Sequence, residues 1–174
     1  MNTYSKKICL LGDFAVGKTS LVRRFVHNRF DDHYISTIGV KVSRKTVMAP
    51  GTSEVAEMTM MLWDLAGSQA FSTVTASYLR GAAGAILVCD MTRADTLKNL
   101  ARYAEDLQKV VGAVQLVVAA NKRDLPEHHE INSDQVAAMA AAFDAPYFLT
   151  SAKVGEEVDV MFRDLGKLLL DRIH

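Results

Sequence analysis

The sequence predicts one α/β domain built on a largely parallel sheet. Apolar runs alternate with helix-period segments along all 174 residues, a pattern typical of stacked βαβ units. Two of the runs, Ala85–Cys89 and Val114–Ala119, are almost continuously apolar, as expected for strands that are covered on both faces. No repeat, low-complexity tract or linker divides the chain. We therefore predict a single domain over residues 1–174.

The first half of the chain predicts a strand, a helix and a hairpin. The run Ile8–Leu11 is short and apolar, and a helix-period segment follows it. Two strand-like stretches, about 39–48 and 55–64, flank the turn signal Ala49-Pro50-Gly51-Thr52, which predicts that they pair as a hairpin. The apolar stripe of the first helix is formed by Leu21, Val22, Phe25 and Val26.

The second half predicts the remaining helices and one further strand. Between the two central strands lies a helix for which Asp95 is placed as the N-cap. A short Ala-rich helix (about 133–143) precedes the strand Tyr147–Leu149, and an amphipathic helix closes the chain. The total is about six strands and five helices. The inner stripes of the two longer helices are Leu97, Leu100, Ala101, Leu107, Val110 and Val111, and Val158, Met161, Phe162, Leu165, Leu168 and Leu169.

Composition argues against one class of partner and favours one cellular setting. Lys+Arg and Asp+Glu are 20 each, and this balance argues against nucleic acid as the main partner. The two cysteines, Cys9 and Cys89, lie in apolar runs without metal-ligand spacing, which favours a reducing, cytoplasmic setting. Neither a signal peptide nor a run of about 18 apolar residues is found.

One glycine-rich segment has the form of a phosphate-binding loop. Residues 12–19 match G-x-x-x-x-G-K-[ST] and lie between the first strand and the first helix. The glycines let the chain wrap a phosphate, and successive backbone N–H groups then point at the anion. Lys18 would reach the β- and γ-phosphates, and the Thr19 hydroxyl would ligate Mg²⁺. An ordinary glycine-containing turn is the alternative, and the strand–helix context argues against it.

A second strand ends in an acidic residue. The stretch Met58–Asp64 is followed by Leu65-Ala66-Gly67. A carboxylate at a strand end beside the phosphate loop is placed to hold Mg²⁺ through water, because this ion keeps several of its waters. The Gly67 N–H would contact the γ-phosphate. Taken alone, Asp64 would fit a turn or capping residue, and only its order after the phosphate loop favours the metal role.

Two polar loops at strand ends predict the base. One strand ends in Asn121-Lys122-Arg123-Asp124, and another ends in Thr150-Ser151-Ala152-Lys153. Guanine presents two adjacent donors that one carboxylate, here Asp124, accepts in bidentate fashion. Adenine would leave that carboxylate unpaired. The Ala152 N–H would donate to the guanine carbonyl, and the Lys122 stem would lie along the ring. A solvated polar loop is the alternative for the first segment, but open α/β sheets bind ligands at these strand ends.

These ordered motifs resemble those of the Ras superfamily of small GTPases, and most closely its Rab-like branch. Phe30, Tyr34 and the stretch Ser36–Gly39 add a segment similar to the first switch of that family. The resemblance implies a P-loop NTPase G domain: a six-stranded sheet, five strands parallel and one antiparallel, with five flanking helices. It also implies bound GTP or GDP with Mg²⁺. Thr37 would bind the metal and the γ-phosphate, and Phe30 would pack against the base.

The predicted site combines these assignments. The catalytic residues are Lys18, Thr37, Gly67 and Ser68, and the metal ligands are Thr19, Thr37 and Asp64. The nucleotide-binding residues are Asp13, Phe14, Ala15, Val16, Gly17, Lys18, Thr19, Ser20, Phe30, Tyr34, Thr37, Gly67, Asn121, Lys122, Asp124, Ser151, Ala152 and Lys153.

A γ-phosphate held by both Thr37 and Gly67 predicts a switch. Hydrolysis would free the segments 28–39 and 66–78, to which effector and regulatory proteins would bind. We expect a monomer.

Three departures from the family pattern qualify the predicted activity. The family places a glutamine after the glycine corresponding to Gly67, and here that residue is Ser68, with Gln69 about 3.8 Å further along the chain. Phe14 replaces a small residue near the γ-phosphate and would obstruct an arginine finger, which is worth roughly 10³–10⁵ in rate. We therefore expect slow hydrolysis and insensitivity to activating proteins. No cysteine follows Cys89, so a prenylated tail is not expected in this chain.

Two other functions are alternatives to the cycling switch. Ser68 and Phe14 favour a GTP-binding scaffold in which hydrolysis is nearly lost. A P-loop kinase or ATPase would need an acceptor site and a lid, and would leave the segment Asn121–Asp124 unexplained.

Overall fold

The computed structural model describes residues 2–31, 37–50, 55–67 and 71–173. Within these residues a six-stranded sheet has the order β2-β3-β1-β4-β5-β6. Among the described strands only the β2–β3 pair is antiparallel, which confirms the predicted mostly parallel sheet. The strands are β1 (Thr3–Leu11), β2 (Val40–Pro50), β3 (Val55–Leu65), β4 (Ala82–Asp90), β5 (Gln115–Asn121) and β6 (Tyr147–Leu149).

Five helical segments flank the sheet in the described chain, as predicted, and the third is divided at Asn99 into two helices. A 3-10 turn, Pro126–His128, lies after β5. Within the described ranges, none of the helices combines the length and apolar character that a bilayer crossing needs. The helices are α1 (Lys18–His27), α2 (Thr73–Leu79), α3 (Ala94–Lys98), α4 (Leu100–Val111), α5 (Ser133–Ala142) and α6 (Val158–Asp171).

The core is divided between the two faces of the sheet. Ile8 and Leu10 of β1 point into a cluster with α1 and α6, where the rings of Phe25 and Phe162 stack with centroids 4.1 Å apart. The intervening Cys9 belongs to the opposite cluster, with α2 to α5. Side chains of a strand alternate between faces, so a strand buried on both faces is apolar throughout. This explains the continuous apolar runs of the sequence.

The hairpin of β2 and β3 is confirmed by pairing that extends from Val40 opposite Leu65 to Pro50 opposite Val55. Its predicted turn residues Gly51 and Thr52 lie outside the described residues. Parallel pairing of β1 with both β3 and β4 brings the carboxyl ends of these strands to one edge. The phosphate loop, Asp64 and the two polar loops therefore meet there.

Candidate nucleotide-binding site

A cavity of about 340 Å³ opens at the carboxyl edge of the sheet. Its lining also includes Arg23, Asp31, Ala66 and Leu125, which were not predicted. Tyr34 and Ser68, both predicted site residues, lie outside the described residues, as do Ser36 and Gln69. The predicted residues that line the cavity are Phe14, Ala15, Gly17, Lys18, Thr19, Ser20, Phe30, Thr37, Gly67, Asn121, Lys122, Asp124, Ala152 and Lys153.

Two glycines allow the loop between β1 and α1 to approach its neighbours closely. Gly17 is the N-cap of α1, with a φ of 104°, and a Cβ there would collide with the amide nitrogen of Asn121. A Cβ on Gly67 would collide with the backbone nitrogen of Phe14. The loop therefore packs closely against Asn121 on one side and against the segment after β3 on the other.

Lys18 is buried inside this loop, with an exposed fraction of 6%. Its Nζ donates to the carbonyl oxygens of Gly12 at 3.0 Å and Asp13 at 3.1 Å. Burial lowers the pKa of Lys18 to about 8, although the carboxylates of Asp64 and Asp13 act in the opposite direction. The folded chain thus keeps an ammonium group where anionic oxygens would stabilise it.

The three predicted metal ligands lie together. The Thr19 hydroxyl donates to Asp64 Oδ2, the hydroxyl oxygens of Thr19 and Thr37 are 2.7 Å apart, and Thr37 Oγ1 lies 3.5 Å from Asp64 Oδ2. Asp64 is 1% exposed, and its Oδ1 has no hydrogen-bond partner among the described residues. Burial raises the pKa of this carboxyl, with the Thr19 bond and the Lys18 charge opposing.

This donor set fits the implied Mg²⁺. It contains oxygen atoms only, and one buried carboxylate oxygen is left without a partner among the described groups. Mg²⁺ prefers oxygen ligands and few protein side chains. Thr19, Thr37 and Asp64 are therefore the residues that would hold the ion.

The predicted base-binding carboxylate is held in place by Ser151. The Ser151 hydroxyl donates to Asp124 Oδ1 at 2.8 Å and accepts the Val154 N–H at 3.1 Å. Ser151 is fully buried, so it positions Asp124 rather than lining the cavity. Phe30, predicted to pack against the base, lines the same cavity.

Asn121 joins the phosphate loop to the second of the two predicted base loops, residues 150–153. Its Nδ2 donates to the Val16 carbonyl at 3.0 Å, and its Oδ1 accepts the Ala152 N–H and the Thr150 hydroxyl, both at 3.2 Å. Ala152 N–H, which we predicted to contact the guanine carbonyl, therefore already has an acceptor in this structure. Val16, which was predicted to bind nucleotide, takes part in this connection through its carbonyl oxygen.

The Asp13 side chain points away from the cavity, toward Asn99 between α3 and α4 and toward α4 itself. Its carboxylate accepts Asn99 Nδ2 at 2.7 Å and the Tyr103 hydroxyl at 3.0 Å, and it is 6% exposed. The side chain thus fixes the loop to α4, and only the Asp13 backbone is left for the predicted nucleotide contact. Phe14 next to it is 56% exposed.

Sequence reasoning missed Arg24 on α1. Its Nε donates to the Ala152 carbonyl at 2.9 Å and its Nη2 to the Lys153 carbonyl at 2.6 Å. These hydrogen bonds from α1 hold the second base loop in place. Nothing in the local sequence distinguishes this arginine from a solvated helix residue, because these two carbonyl partners are more than a hundred positions away.

Sequence reasoning also missed Asp90, at the end of β4. The side chain is fully buried, and its Oδ2 lies 2.8 Å from Lys122 Nζ. Burial would raise the pKa of Asp90, but the bonds from Lys122 and Thr92 outweigh it and hold the pKa below its ordinary value. An acidic residue at the end of an apolar strand was the same signal that identified Asp64, so Asp90 was within reach of the sequence.

The fold and the site define a P-loop nucleotide-binding domain, and comparisons with known proteins give the family. A sequence profile of the Ras family matches residues 7–171. Ras-related protein SEC4 of Saccharomyces cerevisiae is 36% identical over 168 residues, covering 96% of this chain and 76% of the relative. Ras-related protein Rab-13 of Canis lupus familiaris is 34% identical over 165 residues, covering 94% and 79%.

Ras-related protein Rab-21 of Bos taurus is 32% identical over 170 residues, covering 97% of this chain and 75% of the relative. The chain belongs to the Ras family, on its Rab-like branch. This membership supports a GTP-binding switch with GTPase activity.

Proposed function

We propose that this protein binds GTP or GDP with Mg²⁺, hydrolyses GTP slowly and recruits effector proteins through its two switch segments. The convergence of the phosphate loop, the Thr19–Thr37–Asp64 oxygens and the Ser151-held carboxylate of Asp124 at one cavity carries this proposal. The three groups would bind, in that order, the phosphates, the cation and the base of a nucleotide–Mg²⁺ complex.

The residues present would divide the work between binding and charge neutralisation. Lys18 would contact the β- and γ-phosphates, in exchange for its carbonyl contacts inside the loop. When bound, Mg²⁺ would neutralise phosphate charge, held by the hydroxyls of Thr19 and Thr37 and by Asp64 through water. Gly67 already lies against the Phe14 backbone, close enough to the loop for its N–H to contact a γ-phosphate.

Slow hydrolysis is proposed from two residues. Ser68 lacks the amide that would orient the attacking water. Phe14, more than half exposed beside the cavity, would occupy the space that an arginine finger of an activating protein needs. The same two residues support the second candidate, a GTP-binding scaffold with hydrolysis nearly lost.

The described parts of the switch segments support a docking role for partner proteins. Ile38 is 92% exposed, and Phe71 and Val74 are also exposed. These exposed apolar side chains of the two segments would form a surface that changes with the bound nucleotide. We propose a monomer in which these segments, rather than a nucleic-acid surface, bind the partners. The two buried thiols support a cytoplasmic location.

The Asp124→Asn substitution tests the base assignment. An asparagine amide donates where the carboxylate accepts, so the variant should lose guanine nucleotides and gain xanthine nucleotides, which carry a carbonyl in place of the exocyclic amine. The measurement is displacement of a fluorescent GDP analogue by GTP, XTP and ATP. We expect the preference between GTP and XTP to shift by at least about a hundredfold.

The matched control for this substitution is Asp134→Asn, an exposed carboxylate in the first turn of α5. It should leave the preference unchanged. Equal competition by ATP and GTP against the unmodified protein would contradict the proposed function and revive the kinase or ATPase alternative.

A further inference from the structure

Arg93 contacts the phosphate loop from outside the cavity. It follows β4 and is the N-cap residue of α3. Its Nη2 donates to the carbonyl oxygen of Phe14 at 2.7 Å, across 79 positions of the chain. Arg93 was not among the predicted site residues, and it stands outside the set that lines the cavity. One carbonyl of the phosphate loop is therefore held by a charged donor on its outer side.

The guanidinium group is itself fixed by a buried carboxylate. Arg93 Nε donates to Asp90 Oδ2 at 3.1 Å, the same oxygen that Lys122 contacts. The other oxygen of Asp90 accepts the Thr92 N–H at 2.8 Å and the Thr92 hydroxyl at 2.7 Å. Because Asp90 is bound from several sides and fully buried, the position of Arg93 at the Phe14 carbonyl is set in advance of ligand binding.

The Phe14 carbonyl matters because of the peptide to which it belongs. A trans peptide is planar, and its C=O and N–H point in opposite directions. If the Phe14 C=O is directed outward at Arg93, the N–H of Ala15 is directed to the opposite side, and Ala15 lines the cavity. In a phosphate loop, the N–H groups that face the cavity are the ones that bind phosphate oxygens.

The backbone of Ala15 is strained, so the Phe14–Ala15 peptide needs a stabilising contact. The φ of Ala15 is 61°, in the left-handed region that glycine adopts freely and that is strained for a residue with a Cβ. Strain of this kind favours relaxation of the loop. A charge-assisted hydrogen bond to the neighbouring carbonyl is strong enough to oppose it.

We propose that Arg93 is a positioning residue for the nucleotide phosphates, which holds the Phe14–Ala15 peptide so that the Ala15 N–H faces them. Arg93 acts through the loop and does not touch the ligand. Through Asp90, the same contact connects the phosphate loop to Lys122 of the first base loop, Asn121–Asp124. The inference rests on the proposed function, since it requires a nucleotide phosphate in the loop.

The test is the dissociation rate of a fluorescent GDP analogue, in the presence of Mg²⁺, from four proteins: the unmodified chain, Arg93→Met, Arg93→Lys and Arg163→Met. Arg93→Met should release GDP about tenfold faster, which corresponds to about 1.4 kcal/mol. Arg93→Lys should behave similarly, because an ammonium group lacks the fork that bridges Asp90 and the Phe14 carbonyl. Arg163→Met is the matched control, since it removes an exposed arginine–aspartate pair on α6, and its rate should not change.

A second substitution separates positioning from a general loss of stability. Glycine adopts the left-handed region without strain, so Ala15→Gly should slow GDP release in the Arg93→Met background by at least threefold. The ³¹P resonance of the β-phosphate of bound GDP should shift in Arg93→Met and return toward its original position in the double variant. A merely structural arginine would give no coupling between the two positions.

The outcomes separate this inference from the proposed function. If the unmodified protein retains GDP and Arg93→Met releases it at the same rate, the inference is wrong and the proposed function stands. If the unmodified protein binds no guanine nucleotide, both are overturned. If Arg93→Met does not fold, Arg93→Lys with and without Ala15→Gly decides the question by the same criteria.

Discussion

At the scale of single residues, Ser68 is the position on which we propose that the rate of hydrolysis depends. It lies outside the described residues, at the place where the family carries a water-orienting glutamine. We predict that Ser68→Gln raises the single-turnover rate of GTP hydrolysis severalfold, because the amide would hold the attacking water in line. The measurement is phosphate release from protein preloaded with GTP.

The control for Ser68 is the glutamine that follows it. Gln69→Ala should leave the rate of phosphate release unchanged, since the Cα of the next residue is displaced by about 3.8 Å from the required position. An unchanged rate in Ser68→Gln would contradict the proposed reason for slow hydrolysis.

Two buried charges explain why these residues favour a bound ligand. Burial lowers the pKa of Lys18 and raises that of Asp64, so the folded state holds both groups at a cost to their charged forms. An anionic phosphate beside Lys18 and a cation beside Asp64 would remove that cost. Ligand binding and the stability of the fold are therefore coupled.

At the scale of elements, α1 supports both ends of the site. Its first turn begins in the phosphate loop, and Arg24 in its last turn holds the carbonyl oxygens of Ala152 and Lys153. We predict that Arg24→Met releases GDP about five- to thirtyfold faster, because hydrogen bonds from a charged donor contribute about 1–2 kcal/mol at such a partly exposed position. The measurement is the dissociation rate of a fluorescent GDP analogue.

The comparison for Arg24 uses the α6 surface variant Arg163→Met, which should retain the original rate. If Arg24→Met released GDP no faster than this control, the support of the second base loop by α1 would be ruled out.

The elements themselves were largely predictable because their signals are local. The strand Tyr147–Leu149 has the predicted bounds. β1 is longer than predicted and begins at Thr3, because its polar first half pairs with β3 at Glu57 to Met61 while remaining partly exposed. Such a segment lacks the apolar run by which a buried strand is recognised.

The N-terminus of α3 shows what local reasoning cannot supply. Asp95 was predicted as the N-cap, which is wrong: the cap residue is Arg93, and Asp95 lies in the first turn. The Ala94 N–H donates instead to Glu130, at 2.8 Å and 36 positions away. A distant carboxylate thus replaces the local cap.

The residues of the site also divide into those that local sequence predicts and those that only tertiary contacts identify. The motif residues could be placed from sequence because parallel strands bring their carboxyl ends to one edge. The supports of the site, Arg24 and Arg93, could not, since each is recognised only by a partner about eighty or more positions away. Asn121 was predicted to bind nucleotide, yet its connection between Val16 and Ala152 is a tertiary property.

At the scale of the whole molecule, residues of both hydrophobic clusters lie beside the chain segments that line the cavity. Val16 and Ala152 belong to the cluster with α1 and α6, whereas Leu65 and Met91 belong to the opposite one. The phosphate loop is bonded to β5 through Asn121 and to the region after β4 through Arg93. The predicted phosphate-binding and base-binding residues therefore belong to one connected structure.

The most direct measurement is to denature the freshly purified protein and identify the released nucleotide by chromatography. We predict a stoichiometric guanine nucleotide. GDP would favour a cycling switch, and GTP would favour the scaffold with hydrolysis nearly lost. A stoichiometric adenine nucleotide, or the absence of any nucleotide together with failure to bind added GDP, would contradict the assignment of this cavity to guanine nucleotides.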